Sequence, residues 1–223
     1  MELVLFDLDN TLLAGDSDYA WAKYLIAEGI VDGPAWLKKN ESFYGQYTAG
    51  TLNINEYLQF QANILAGRDL DEIHGWRKRY MADIIETIML PKAHALIAHH
   101  RVQAPQAKFA IITATNQFVT EPIAAAFGIE KLIACELEQA EDGRYTGFGK
   151  GIPSFQAGKI TRLEAWLAES GERLDDFSKS WFYSDSHNDL PLMRRVTNPV
   201  AVDADAKLTA VATELGWPRI SLR

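Results

Sequence analysis

Cysteine is almost missing from this chain. A single one, Cys135, stands among 223 residues. No disulfide can close within the chain, as suits a reducing compartment. No apolar run reaches 18 residues, so no transmembrane helix is expected. Basic clusters are lacking too: 22 Lys and Arg stand against 30 Asp and Glu, for a net charge of −8. Nucleic acid and anionic membrane surfaces are poor partners for such a chain. Positions 2, 7 and 9 are acidic, and no basic segment precedes a long apolar run. A signal peptide is therefore not expected, and the cytoplasm is the expected location. Internal repeats and low-complexity segments are also absent. What is present is 48% hydrophobic residues, ample for a packed core. The length suits one domain, or one domain with a sizeable insertion.

The most informative stretch is Val4-Leu5-Phe6-Asp7-Leu8-Asp9-Asn10-Thr11. Val4 to Phe6 read as a short buried strand. Two carboxylates follow at i and i+2, a spacing that puts both on one face of an ideal strand. Side by side at the end of an apolar strand they repel and lose solvation, unless a cation or a proton sits between them. Turn chemistry explains Asp9-Asn10 but leaves Asp7 unexplained.

Helical patterns then run from Asp18 to about Ala27, from Trp36, from Ile54 to Leu65, and from about Leu70 to Met81. No strand is expected between Leu13 and Met89. So long a helical block exceeds a simple crossover. It reads as an inserted helical subdomain over 14–88, between core segments 1–13 and 89–223. After Pro91 the pattern alternates. A helix covers Lys92 to His100, and a buried strand Phe109-Ala110-Ile111-Ile112 leads into Thr113-Ala114-Thr115-Asn116. Helical segments to Phe127 are expected to be divided at Pro122. Glu141-Asp142-Gly143 marks a hairpin. Gly147, Gly149 and Gly151 punctuate a loop and do not fit a dinucleotide fingerprint. A helix from Gln156 to Ala168 carries Lys159. Trp181-Phe182-Tyr183 is a strand ending in Ser184-Asp185-Ser186-His187-Asn188-Asp189. Pro199 to Val202 is another, and Arg219 to Leu222 a short last one. The fold class is α/β: a doubly wound, mainly parallel sheet with an inserted all-helical subdomain.

Three strands thus end in polar groups, and ligands bind at the carboxyl ends of strands in open parallel sheets. Asp7, Asp9, Asp185 and Asp189 make an acidic site with one lysine, Lys159, and one hydroxyl, Thr113. Hard carboxylate oxygens suit Mg²⁺, and Mg²⁺ is commonly bound through a few carboxylates plus a substrate phosphate. The hydroxyl, the ammonium and helix N-terminal amides suit a phosphate.

Asp7-Leu8-Asp9-Asn10-Thr11, Thr113 after an apolar strand, Lys159 and Asp185-Ser186-His187-Asn188-Asp189 resemble the four motifs of the haloacid dehalogenase phosphatase superfamily, in the same order. Ser184 replaces the usual glycine. The helical insertion resembles the cap of its phosphoserine-phosphatase-like branch, on a Rossmann-like core. The resemblance implies a Mg²⁺-dependent phosphatase acting on a small phosphomonoester. Asp7 would be the nucleophile and pass through an aspartyl phosphate. Asp9 would be general acid and then base, with a pKa raised by its proximity to Asp7. Mg²⁺ would be held by Asp7, Asp185 and the Asp9 carbonyl, with Asp189 in support. Thr113, Ala114, Lys159 and Asn188 would bind the phosphoryl oxygens.

Other readings attach to the same residues. A signalling receiver domain also uses an acidic cluster, a threonine and a lysine, but its phosphoacceptor ends a later strand. A phosphotransferase could share the scaffold. An idle binding protein would be expected to lack a motif residue, and none is lacking. His187 is a weak ligand candidate, and His99-His100 do not face each other on a helix. Substrate choice falls to the cap, where residues 12–90 hold 11 of the 24 aromatic residues. Asp16 and Asp18 are either helix N-caps or groups that attract an amine or imidazolium. The Asp16-Ser17-Asp18-Tyr19 run is similar to the group that includes bacterial histidinol-phosphate phosphatases. That makes histidinol phosphate the expected substrate, with phosphoserine the alternative. Oligomeric state is not legible.

Overall fold

Seven strands form one sheet in a computed structural model that describes residues 1–223. They are β1 (Glu2–Phe6), β2 (Lys108–Asn116), β3 (Lys131–Gln139), β4 (Tyr145–Lys150), β5 (Lys179–Ser184), β6 (Asn198–Val202) and β7 (Arg219–Ile220). Their spatial order is β4-β3-β2-β1-β5-β6-β7. Every pairing is parallel except β3 with β4, the hairpin. β1 is central and is buried on both faces. Val4 and Phe6 join one hydrophobic cluster, and Leu3 and Leu5 join the other. The alternation is the period of two expected of a strand between two helical layers.

Ten helical segments complete the chain. α1 (Ser17–Ala27), α2 (Gly33–Ala49), α3 (Ile54–Ala62), α4 (Leu70–Tyr80) and α5 (Glu86–Ile88) follow β1 and precede β2 along the chain. α6 (Pro91–Gln103) and α7 (Gln117–Ala126) cover one face of the sheet, while α8 (Ala157–Ala168), α9 (Leu190–Met193) and α10 (Ala206–Glu214) cover the other. Two chain segments join the helical insertion to the sheet, and they pair with each other. Leu13 bridges Met89, with Ala14 N–H on the Ile88 carbonyl at 2.7 Å and Leu90 N–H on the Leu12 carbonyl at 3.2 Å. The insertion is not independently packed. Trp21, Leu25, Ile73 and Tyr80 belong to the same cluster as Phe6, Ile97 and Tyr183.

Two expectations about helices need correction. α4 does not stop at Met81: a wide π turn, Met81–Ile85, carries it on into α5. The extra residue places Ile85, five after Tyr80, back on the buried face, where both are fully buried. Pro122 does not divide α7, which is one helix. Proline frees the carbonyl four residues earlier, that of Phe118. Arg77 Nη1 donates to this oxygen at 2.8 Å, so a residue of the insertion repairs the ladder. The glycine run is also not a loop throughout: Gly147 and Gly149 lie within β4, which packs against α3. A Cβ on Gly147 would stand 2.8 Å from Asn63 Oδ1, and its φ of +95° disfavours any side chain.

Candidate active site

The register of β1 builds the site. Phe6 pairs with Ile111 on β2 and with Tyr183 on β5. The residues just beyond these three therefore share the carboxyl edge of the sheet. They are Asp7 and Asp9 after β1, Thr113 and Thr115 near the end of β2, and Asp185 after β5. Helices cross over on both sides of β1, so this edge is a topological switch point. Asn10 reverses the chain there at φ 56°, a left-handed geometry that asparagine tolerates. A cleft opens over the edge. Its floor includes Asp7, Asp9, Thr113, Ala114, Lys159, Asn188 and Asp189, and its roof is made by α1, α2 and α3 of the insertion.

Lys159, buried on α8, reaches between two carboxylates. Its Nζ lies 2.9 Å from Asp7 Oδ1 and 2.7 Å from Asp189 Oδ1. Both carboxylates raise the lysine's pKa over the opposing effect of burial. Ser184, at the position where glycine was expected, donates its hydroxyl to Asp189 at 2.7 Å. The pair leaves Asp185 without a cation. Thr11 donates to it at 3.1 Å, while burial, then Asp7 and Asp189, hold its carboxyl well above the usual range. Burial and the Asp189 charge likewise push Asp7 up, against the pull of Lys159. Three crowded carboxylates with one ammonium leave a surplus of negative charge. A divalent cation fits that surplus, and hard oxygen donors suit Mg²⁺. No three Asp, Glu, His or Cys side chains form a cage. Two carboxylates, a main-chain carbonyl and water are the donors available here.

Asp9 sits apart from that cluster. Ser17 N–H donates to Oδ1 at 2.7 Å and the Thr115 hydroxyl to Oδ2 at 2.7 Å. Its carboxyl is pushed up to about 6, first by burial and then by the charge of Asp16. The sequence reading names Asp7 as the source; Asp16 is the foremost like charge on Asp9, and the repulsion between Asp7 and Asp9 adds to the rise of Asp7. Thr115 and Ser17 escaped that reading. The alternation of Thr113-Ala114-Thr115 was the available signal, since i and i+2 of a strand share a face.

Asp16 and Asp18 divide two roles. Asp16 is the N-cap of α1, with one oxygen accepting Tyr19 N–H at 2.8 Å, and it lines the cleft. Asp18, 3% exposed, accepts the Tyr57 hydroxyl at 2.7 Å and faces Asn116 Nδ2 at 3.5 Å. Gln61 continues this chain onto Tyr57 at 2.8 Å. Burial pushes Asp18 up to about 7 and Asp16 up to about 6. Thr113 is buried and its hydroxyl accepts Thr115 N–H at 3.1 Å. Asn188 spends its amide on the insertion and on α8: Nδ2 donates to the Tyr47 carbonyl at 3.1 Å, and Oδ1 accepts from Gln156 at 3.1 Å. His187 turns away from the carboxylates, with Nδ1 2.7 Å from Asp205. His100 is buried, with Nε2 2.7 Å from the Tyr183 hydroxyl, and does not line the cleft.

Known proteins similar to this chain share its family and its fold. Residues 4–194 match the family model described as haloacid dehalogenase-like hydrolase. A histidinol-phosphatase of Neisseria meningitidis serogroup C is 43% identical over 221 residues, covering 99% of both chains. A crystal structure of a protein of unknown function from Bordetella pertussis Tohama I superposes with a TM-score of 0.92. It is 40% identical and covers 100% of this chain and 99% of that one. A phosphoserine phosphatase, captured as an analogue of its phospho-aspartyl intermediate, shares the fold at a TM-score of 0.68. That chain is 18% identical, over 99% of this chain and 93% of its own.

Proposed function

Because the chain belongs to the haloacid dehalogenase-like hydrolase family, we propose that it hydrolyses a small, amine-bearing phosphomonoester, histidinol phosphate first, through a phosphoenzyme on Asp7. The observation that carries this reading is the cleft itself. Its floor holds Lys159 between Asp7 and Asp189, and its roof holds Asp16 and a face of aromatic residues from α2.

Phosphoryl transfer asks the protein mainly for positioning and charge neutralisation. An Asp7 oxygen attacks phosphorus as the bond to the leaving alkoxide breaks. Asp9, in its acid form, gives that alkoxide its proton. Asp9 then takes a proton from a water that attacks phosphorus and releases Asp7. A group poised at about 6 holds or loses a proton with little cost near neutrality. Ser17 N–H and the Thr115 hydroxyl fix its orientation. Lys159, Thr113, Ala114 and Asn188 face the transferred group. Mg²⁺, held by Asp7, Asp185 and the Asp9 carbonyl with Asp189 in support, would neutralise phosphoryl charge when bound.

Selectivity rests on what meets the rest of the molecule. Asp16 uses one oxygen for its helix and points the carboxylate into the cleft beside Asp9, where a substrate ammonium would lie. Asp18, behind it, adds charge only as it ionises toward pH 7 and above. This favours an amine over an anionic tail, and it agrees with the activity named for the Neisseria relative. Turnover of histidinol phosphate should require Mg²⁺ and stop with EDTA. Asp7→Asn should abolish it and leave no acid-stable phosphoenzyme. Undiminished turnover after chelation would remove the metal, and near-normal rates in Asp7→Asn would remove the covalent route.

A further inference from the structure

One buried polar group in the roof has no partner. Asn40 is on α2, is 2% exposed, and lines the cleft, yet its Nδ2 finds no acceptor in the protein. Its neighbours on the helix explain why this is unusual. Asn40, Phe43, Tyr44 and Tyr47 fall at i, i+3, i+4 and i+7, one face of α2, and all four line the cleft. Leucine at position 40 would complete an apolar stripe without leaving a buried amide unsatisfied. The other end of the stripe is anchored at the reaction centre, because Tyr47 donates its hydroxyl to Ser186 at 3.2 Å and accepts Asn188 at its carbonyl. Seven residues of helix separate the two ends, a rise of about 10 Å. Asn40 therefore stands about 10 Å along α2 from the end that meets the reaction centre, among aromatic rings. Phe43 packs edge-on against Tyr57 at 5.3 Å beside it.

We propose that Asn40 is a specificity-determining residue whose amide binds a flat, uncharged, nitrogen-bearing ring at the far end of the substrate. The inference rests on the substrate reading above and assigns its parts: the ammonium to Asp16, the ring to Asn40 and the α2 aromatics. A neutral imidazole carries one N–H and one bare nitrogen, and the bare nitrogen is the acceptor an unpaired amide needs. An amine lacking the ring would leave Asn40 as it is found here.

The test compares kcat/KM for histidinol phosphate with that for O-phosphoethanolamine, which has the ammonium but no ring. In the wild type the ratio should be large and should rise with pH through the ring's titration, near ~6.5 for an imidazole. The titratable groups lining the same cleft are Asp7, Asp9, Asp16, Asp18, Tyr19, Tyr44, Tyr47, Tyr57, Lys159 and Asp189. What they do to both substrates alike cancels in the ratio. Asn40→Leu should lower the ratio roughly ten- to a hundredfold, the scale of a lost hydrogen bond in a site built to make it. Asn40→Asp, close to isosteric, should reverse the pH trend, because an acceptor prefers the protonated ring. Thermal melting identifies an unfolded variant, and then the Asp variant decides. If the wild type prefers histidinol phosphate and both variants keep the ratio and its pH trend, Asn40 only packs and the inference falls while the substrate reading stands. If the wild type does not favour amine-bearing esters at all, both fall.

Discussion

Asp16→Asn separates two functions that one carboxylate performs. Asparagine is as good an N-cap as aspartate, so the bond to Tyr19 N–H survives and α1 stays capped. Only the charge is removed. Two consequences follow from the geometry. The charge-assisted contact to a substrate ammonium becomes an ordinary one. Hydrogen bonds to charged groups contribute ~1.5–3 kcal/mol, so kcat/KM for histidinol phosphate should fall roughly ten- to a hundredfold. The second consequence concerns Asp9. Asp16 is the foremost like charge that raises it, so its removal should bring the Asp9 pKa down. A general acid with a lower pKa loses its proton earlier as pH rises, so the alkaline limb of kcat should move to lower pH. The assay is steady-state kinetics from pH 5 to 8 with histidinol phosphate and phenyl phosphate. Phenyl phosphate, without an ammonium, should show the pH displacement but little of the loss in kcat/KM. Asp16→Ala should add a stability loss of about 1 kcal/mol from the missing cap. Equal losses on both substrates, with an unmoved pH profile, would refute the charge role and leave Asp16 as a cap alone.

Three further outcomes test the same frame. Asp18 is buried with its carboxyl pushed up to about 7. A folded pKa above the unfolded one means stability present at low pH and lost as pH rises toward 7. Asp18→Asn, which can still accept the Tyr57 hydroxyl, should match the wild type only below about pH 4, where the unfolded carboxyl is also protonated, and gain on it as pH rises to 8, by up to about 4 kcal/mol on a three-unit shift. A variant less stable at pH 8 would contradict this. Arg77→Ala should cost about 1–2 kcal/mol by leaving the Phe118 carbonyl unpaired. Pro122→Ala in that background should recover part of it, because residue 122 regains its N–H; an unchanged cost would show that Arg77 acts elsewhere. Lys159→Met should cost several kcal/mol in urea melts at neutral pH, because two buried carboxylates lose their shared cation. Added Mg²⁺ should restore part of that stability, and no response to Mg²⁺ would count against the carboxylates as its ligands.

Much of the fold was legible because the period of the apolar residues carries it. Val4 to Phe6, Phe109 to Ile112 and Trp181 to Tyr183 are short runs buried on both faces, and a doubly wound parallel sheet is where such runs belong. The strand-end carboxylates could be read as well, since each is a charge placed where the apolar pattern stops. The wide turn after Tyr80 could not be read, because no residue type encodes it; the buried positions on either side impose it. The intact helix through Pro122 depended on Arg77, 45 positions earlier in the chain, which no local pattern reveals. The part that Asp16 plays in the Asp9 shift was hidden for a related reason. Sequence spacing put Asp7 nearest, whereas the reversal at Asn10 returns the chain so that Ser17 N–H binds Asp9 and the charge of Asp16 acts on it. The unpaired amide of Asn40 is wholly a tertiary fact: along the chain it is one asparagine between Lys39 and Glu41. Periodicity determines which faces are buried, and it acts over a few residues. Hydrogen-bond partners and fields across the cleft depend on segments brought together by the whole fold, and only the tertiary structure decides them.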